Sequence, residues 1–81
     1  MINVKIKCFS QVKYALGEDE LNLDLRAGTT SLDLEKLIRK EADGKLDGVS
    51  LRVAVNQKYV PTETELKDSD EVAFIPPVQG G

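Results

Sequence analysis

The sequence closes on Val78-Gln79-Gly80-Gly81, directly after the paired prolines Pro76 and Pro77. A terminal carboxylate carried on two glycines is the group in this chain best presented for chemistry. Gly80 and Gly81 have no Cβ, so a narrow channel can close on their backbone and reach that carboxylate. Pro76 and Pro77 fix φ and favour polyproline II, which predicts a stiff spoke leaving the domain. From Pro76 onward the spoke spans about 18 Å at roughly 3.1 Å per residue. Glycine makes up about 7% of ordinary proteins, so chance alone supplies a terminal pair in roughly one sequence in two hundred. A carboxylate is inert toward nucleophiles until activated, so chemistry at Gly81 requires another protein to adenylate it with ATP. The competing reading is a chain end of no significance, because termini with few contacts gain little by order.

No other part of the sequence offers a self-contained active site. Histidine is absent, which removes catalytic triads, Cys–His pairs and the common zinc sites. No G-x-x-x-x-G-K-[ST] or G-x-G-x-x-G phosphate loop occurs. Asp68, Asp70 and Glu71 cluster in a turn-like stretch that reads as a hydrophilic approach to a strand, and no metal site is expected there. The single cysteine, Cys8, falls in an alternating apolar run and reads as a core residue. The net charge is −3, without a Lys/Arg stripe, which argues against nucleic-acid binding. A mildly acidic protein suits a basic partner surface, although a solvated acidic face is the commoner explanation. One cysteine, no signal peptide and no long apolar stretch point to a reduced, soluble, cytoplasmic protein that binds no membrane.

Eighty-one residues make a single domain, 1–81, with 76–81 as an extended tail. "INVKIKCF" alternates, placing Ile2, Val4, Ile6 and Cys8 on the buried face of a first strand. "SQVKYALG" spaces Val12, Ala15 and Leu16 for a short helix, with Ser10 as the expected N-cap and Gly17 as the stop. "ELNLDL" is a second strand with Leu21, Leu23 and Leu25 inward. Thr30 and Asp33 begin the main helix in a T-x-x-D capping pattern, and Leu34, Leu37, Ile38 and Ala42 form its apolar stripe. Glu35 precedes Arg39 by four positions, the favourable order for a helix pair. "VSLRVAVN" predicts a third strand with Val49, Leu51, Val53 and Val55 on one face. Asn56-Gln57 turns it into the short strand "KYV", which Pro61 ends.

"EVAFI" is apolar on both faces, so the last strand is covered on both sides or lies in the middle of a sheet. The fold class is therefore α+β. The segment 10–16 is too short for the second helix of a ferredoxin-like fold. A mixed sheet wrapped on one main helix, with the last strand central and a short extra helix after the first strand, is the β-grasp of ubiquitin-like proteins.

Three stretches, "KCFSQVKYALG", "VAVNQKYV" and "DSDEVAFIPPVQGG", together resemble the MoaD-type sulfur carriers, the small subunits of molybdopterin synthase. The similarity covers essentially the whole chain, and its most specific part is D-E-V-A-F-I-P-P-V-x-G-G. The resemblance implies that a MoeB-like enzyme adenylates Gly81 using ATP, and that a sulfur donor converts it to a thiocarboxylate. The tail then enters a MoaE-type large subunit and gives its sulfur to cyclic pyranopterin monophosphate, two transfers making the dithiolene of molybdopterin. Gly80 would be the narrow joint beside the reacting carbon, and Pro76, Pro77, Val78 and Gln79 the spoke that the partner holds. The carrier itself would bind no cofactor. The family's docking patch falls on Phe9, Tyr59 and Ile75, position 75 being often aromatic in the family. Independently, the first strand's alternation points Phe9 away from the Ile2, Val4 and Ile6 face. The other reading of Phe9 is a small second core beneath the 10–16 helix.

Rival functions are a thiamine-pathway sulfur carrier, a ubiquitin-like modifier joined through Gly81 to target lysines, and a plain interaction module. The first usually lacks the "AFIPPV" approach. The second shares the same acyl-adenylate, captured by an amine instead of sulfur.

Overall fold

The computed structural model describes residues 1–61 and 63–76. Seven elements follow in order: β1 (Ile2–Cys8), α1 (Ser10–Leu16), β2 (Glu20–Leu25), α2 (Ser31–Glu41), β3 (Arg52–Val55), β4 (Lys58–Tyr59) and β5 (Glu71–Ile75). The strands form one mixed sheet in the order β2-β1-β5-β3-β4. β5 lies in its middle, parallel to β1 and antiparallel to β3. The centre of the sheet is thus filled last, because β2 and β3 are connected through α2 and leave a slot between β1 and β3.

Alternation decides which face is buried. Val4, Ile6 and Cys8 of β1, Val53 of β3, and Val72 and Phe74 of β5 meet Leu34 and Ile38 of α2 and Ala42 at its C-cap. Val12 of α1 and the loop residues Leu46 and Leu66 complete this core. Leu21, Leu23 and Leu25 do point inward, but they are only half-buried because β2 is an edge strand. Leu37, expected in the stripe of α2, is 36% exposed. It sits at the margin of the helix face, lining a surface depression with Leu21 and Leu23 of the edge strand β2.

α2 begins with the expected capping box: Thr30 accepts from the Asp33 N–H, and Asp33 accepts from the Thr30 N–H. Two donors that the helix leaves unsatisfied are covered in this way. For α1 the N-cap is Phe9, not Ser10. Phe9 has extended backbone, φ −125° and ψ 147°, and no side chain caps the helix. Ser10, at φ 50°, already lies inside it. Gly17 ends α1 in the left-handed conformation at φ 75°, its N–H bonded to the Lys13 carbonyl at 2.7 Å, a position that suits a residue without Cβ.

β3 starts later than the alternation of Val49 and Leu51 suggests. Arg39, ion-paired to Glu35 at 3.0 Å, donates to the Val49 carbonyl at 2.7 Å and to the Leu46 carbonyl at 2.6 Å. The Val49 N–H goes to Leu46, so Val49 belongs to a turn and its groups are unavailable to a ladder. The ladder with β5 ends at the pair Arg52–Ile75, since the next residue, Pro76, has no N–H to contribute.

The acidic stretch before β5 closes the bottom of the sheet. Asp70 accepts from Asn56 Nδ2 at 2.9 Å and from the Lys67 N–H at 2.8 Å, while Asn56 Oδ1 accepts from the Glu71 N–H. Asp68 accepts from the Asn3 N–H at 2.7 Å. These carboxylates hold the β3–β4 turn and the start of β1 against β5. Asp70→Ala is expected to destabilise the fold by about 2 kcal/mol, because two donors lose a nearly buried acceptor. Urea denaturation measures this, and a change below about 0.5 kcal/mol would contradict the role.

Candidate functional site

The face of β5 turned away from α2 decides where the molecule can act. Val72 and Phe74 are buried in the core, whereas Ala73 and Ile75 point to the opposite face and are only half-buried. The strand is apolar on both sides because it is central, yet among the described residues no second layer covers its outer face. On that face lies an open groove of about 260 Å³ with Ala73 and Ile75 in its floor. Ala54 of β3, paired with both Ala73 and Tyr59, continues the floor.

Phe9 and Tyr59 rise on either side of this floor. Phe9 is 49% exposed and Tyr59 58% exposed, an unfavourable state for large rings that touch only water on one side. Each is placed by local backbone. Phe9 follows Cys8, so the alternation of β1 turns it away from the core, and the start of α1 fixes it at the rim. Tyr59 is placed by the two-residue turn Asn56-Gln57, both at positive φ (52° and 70°), a twist that suits a tight hairpin. Phe9 therefore does not seed a second core; Val12, Ala15 and Leu16 of α1 pack on the main one instead.

Polar groups edge the groove. Lys7 and Glu71 line one side and Gln57 another. Lys7 Nζ lies 2.7 Å from Glu20 Oε1, and Lys5 reaches the same carboxylate at 3.8 Å. The hydrogen bond to Glu20, with its charge, raises the Lys7 ammonium above its ordinary pKa, and the same bond lowers that of the Glu20 carboxyl. The one Glu20 carboxylate thus serves both cations and balances one of their two charges. Across the groove, the Arg52 guanidinium lies over the Tyr59 ring, 4.5 Å from its centroid.

The sequence-derived residues Phe9, Tyr59 and Ile75 are thus brought to one groove, and half-buried Pro76 follows at the end of β5. Pro77, Val78, Gln79, Gly80 and Gly81 lie outside the described residues. Sequence reasoning did not single out Lys7, Ala54, Gln57, Glu71 or Ala73 for the groove. The outward parity of Lys7, Glu71 and Ala73 in their strands was readable, but their adjacency depends on the parallel β1–β5 register, which no local pattern encodes.

Cys8, next to Phe9, faces the core and is 4% exposed. Burial pushes its thiol up, and the charges of Asp19 and Glu18 add to this. The neutral thiol is a poor nucleophile, so Cys8 takes no part at the groove. A thiol reagent is expected to label native Cys8 about a thousandfold more slowly than the unfolded chain, tracking global unfolding. Fast labelling of the folded protein would contradict its burial. Among the described residues no group of three Cys, Asp or Glu side chains is arranged to hold a metal ion. No helix among them is long and apolar enough to cross a membrane.

With this geometry in place, comparison with known proteins decides the family. The ThiS family profile matches residues 6–81. The chain belongs to the ThiS family. Among its relatives, the molybdopterin synthase sulfur carrier subunit of Haemophilus influenzae is 36% identical, each chain being covered in full. Among solved structures, a Pyrococcus furiosus protein assigned as molybdopterin converting factor subunit 1 is 32% identical with a TM-score of 0.85, over 96% of this chain and 100% of the other. The small archaeal modifier protein 1 of Methanosarcina acetivorans is 29% identical, with a TM-score of 0.76 over 100% and 98% of the two chains. A chain of the Helicobacter pylori complex of molybdopterin-converting factor subunits 1 and 2 is 24% identical, with a TM-score of 0.69 over 99% of this chain and 100% of that one; at that identity the likeness establishes the fold. These neighbours share the ubiquitin-like β-grasp, as the element order and the central β5 require. In this member of the family the groove lies on the sheet face opposite α2, beside β5, the strand that precedes Pro76 in the sequence.

Proposed function

We propose that this chain is the sulfur carrier subunit of a molybdopterin synthase, a single β-grasp domain over 1–81 whose reactive tail is 76–81. The observation that carries the reading is the coupling of tail and groove on one strand. β5 exposes Ala73 and Ile75 to the groove and runs at once into Pro76 and the residues ending in Gly81. A large subunit that covers the apolar groove receives the tail at a fixed distance from its docking patch. Relatives matched over their full length and named as sulfur carrier subunits support this assignment.

The chemistry follows from the carboxylate. A MoeB-like activating enzyme joins the Gly81 carboxylate to the adenylyl group of ATP with loss of pyrophosphate. A donor at the oxidation level of sulfide then attacks the acyl carbon, displaces AMP and leaves a thiocarboxylate. That sulfur is a nucleophile delivered on a peptide rather than released as free sulfide. Docked on a MoaE-type large subunit, it attacks a carbon of cyclic pyranopterin monophosphate and displaces an oxygen substituent; water then cleaves the acyl–sulfur bond, leaving the sulfur on the pterin and returning Gly81 as a carboxylate. The carrier contributes the reactive group and its position, and the partner contributes acid and base groups. Such a division of labour suits a chain that lacks histidine. The setting is the reducing cytoplasm, where the lone Cys8 stays a thiol.

Reconstitution tests the reading. The thiocarboxylated chain, mixed with the large subunit and cyclic pyranopterin monophosphate, is expected to yield molybdopterin. If the activated chain instead forms amide conjugates with lysines on other proteins and yields no molybdopterin, the ubiquitin-like modifier reading replaces this one.

A further inference from the structure

The outer sheet face around the groove carries three cations, on Lys5, Lys7 and Arg52, of which only Lys5 and Lys7 have a carboxylate partner among the described residues. Lys5 and Lys7 share the Glu20 carboxylate. Among the described residues, no carboxylate pairs with Arg52; its recorded contact is the Tyr59 ring, 4.5 Å below the guanidinium carbon. The position is singular as well. Arg52 sits opposite Ile75 at the last pair of the β3–β5 ladder, one residue before Pro76, where the tail leaves the sheet.

A long arginine side chain on an exposed strand end ordinarily samples many rotamers, and ordering it costs free energy. Stacking on Tyr59 removes part of that freedom before any partner arrives, and leaves the edges of the planar fork free to donate. A guanidinium held over an aromatic ring, beside an apolar groove that a second protein would cover, is matched by a carboxylate on that protein through two parallel N–H···O bonds. Arg52 is exposed at the rim of that surface, where a carboxylate attracts it through screening solvent, a neutral group adds nothing and a cationic group repels it.

Resting on the carrier reading, we infer that Arg52, stacked on Tyr59, is a specificity-determining residue that receives an aspartate or glutamate of the large subunit where the tail leaves the sheet. Phe9, Ile75 and Ala73 supply apolar contact area. Arg52 fixes the register of docking, so that the tail enters the partner in one orientation.

The test is the affinity for the same organism's large subunit, measured by calorimetry at about 50 mM and about 500 mM salt, a range over which screening of exposed charges changes strongly. Four chains are compared: wild type, Arg52→Met, Arg52→Lys and Arg52→Glu. Arg52→Met keeps an apolar stem over Tyr59, so it isolates the charge from the packing. The inference predicts that Arg52→Met binds roughly tenfold more weakly at low salt and within about twofold of wild type at high salt. Arg52→Glu is expected to lose about a hundredfold at low salt by like-charge repulsion, and Arg52→Lys to retain salt sensitivity with intermediate affinity. If the wild type binds and Arg52→Glu binds equally well at low salt, the inference is overturned while the carrier reading stands. The inference fails equally if Arg52→Met weakens binding by the same factor at both salt concentrations, which assigns Arg52 a packing role. If the wild-type chain does not bind the large subunit at all, the carrier reading itself has failed.

Discussion

A chain lacking Gly81 is expected to fold as the parent does and to transfer no sulfur. The folding half follows from where the core ends. The buried apolar residues run from Val4 to Phe74, and β5 closes at Ile75. Removing the last residue therefore withdraws no described core contact. The chemical half follows from position. Deleting Gly81 moves the carboxylate back by about 3.3 Å along an extended chain, and misplacing a reacting group by even 1 Å can cost about a hundredfold in rate. The loss in molybdopterin formation should exceed about a thousandfold. One residue added after Gly81 should be as damaging, because the carboxylate overshoots. Both variants should match the parent in urea denaturation to within about 0.5 kcal/mol. A normal rate of molybdopterin formation from either would remove Gly81 from the chemistry.

Phe9→Asp should weaken binding to the large subunit by about a hundredfold while leaving adenylation of Gly81 nearly unchanged. The ring is half-exposed at the rim of the groove, so its loss costs the isolated chain little. In the complex it would be covered, and truncating a buried aromatic anchor typically costs 2 kcal/mol or more. Aspartate adds the penalty of an unpaired charge in a closed interface. Phe9→Leu, which retains apolar area, should recover most of the affinity. Titration calorimetry against the large subunit measures both variants, and unchanged affinity for Phe9→Asp would place the docking patch elsewhere.

The same face shows what a sequence can and cannot encode locally. The alternation of Ile2, Val4, Ile6 and Cys8 puts Phe9 outside, because one face of β1 is buried and parity does the rest. Apolar residues on both faces of Glu71–Ile75 place that strand centrally, although the reason differs between faces: α2 covers one, and the groove leaves the other open. The Thr30–Asp33 capping box was legible because all its atoms lie within four residues. The start of β3 was not, since it depends on Arg39 taking the Leu46 and Val49 carbonyls from across a loop. The N-cap of α1 was misplaced by one residue because an N-cap is defined by backbone conformation, and Phe9, not Ser10, has the extended backbone. Asp70 reads locally as a polar turn residue. Its bonds to Asn56 and Lys67 come from the tertiary arrangement.

The site divides in the same way. Phe9 was reachable by parity, while Tyr59 and Ile75 came from resemblance to a known family. Arg52 was within reach of neither, although two facts about it are local. The inward parity of Val53 and Val55 turns Arg52 outward. The two-residue turn at Asn56-Gln57 pairs Ala54 with Tyr59, and so brings that ring diagonally beside Arg52 on the same face.

The most direct test of the account is the intact mass of the full chain after incubation with ATP, the activating enzyme and a sulfur donor. The account predicts a gain equal to the replacement of one oxygen by sulfur, mapped by fragmentation to Gly81. No gain, under conditions that thiolate an established carrier of the family, would contradict it.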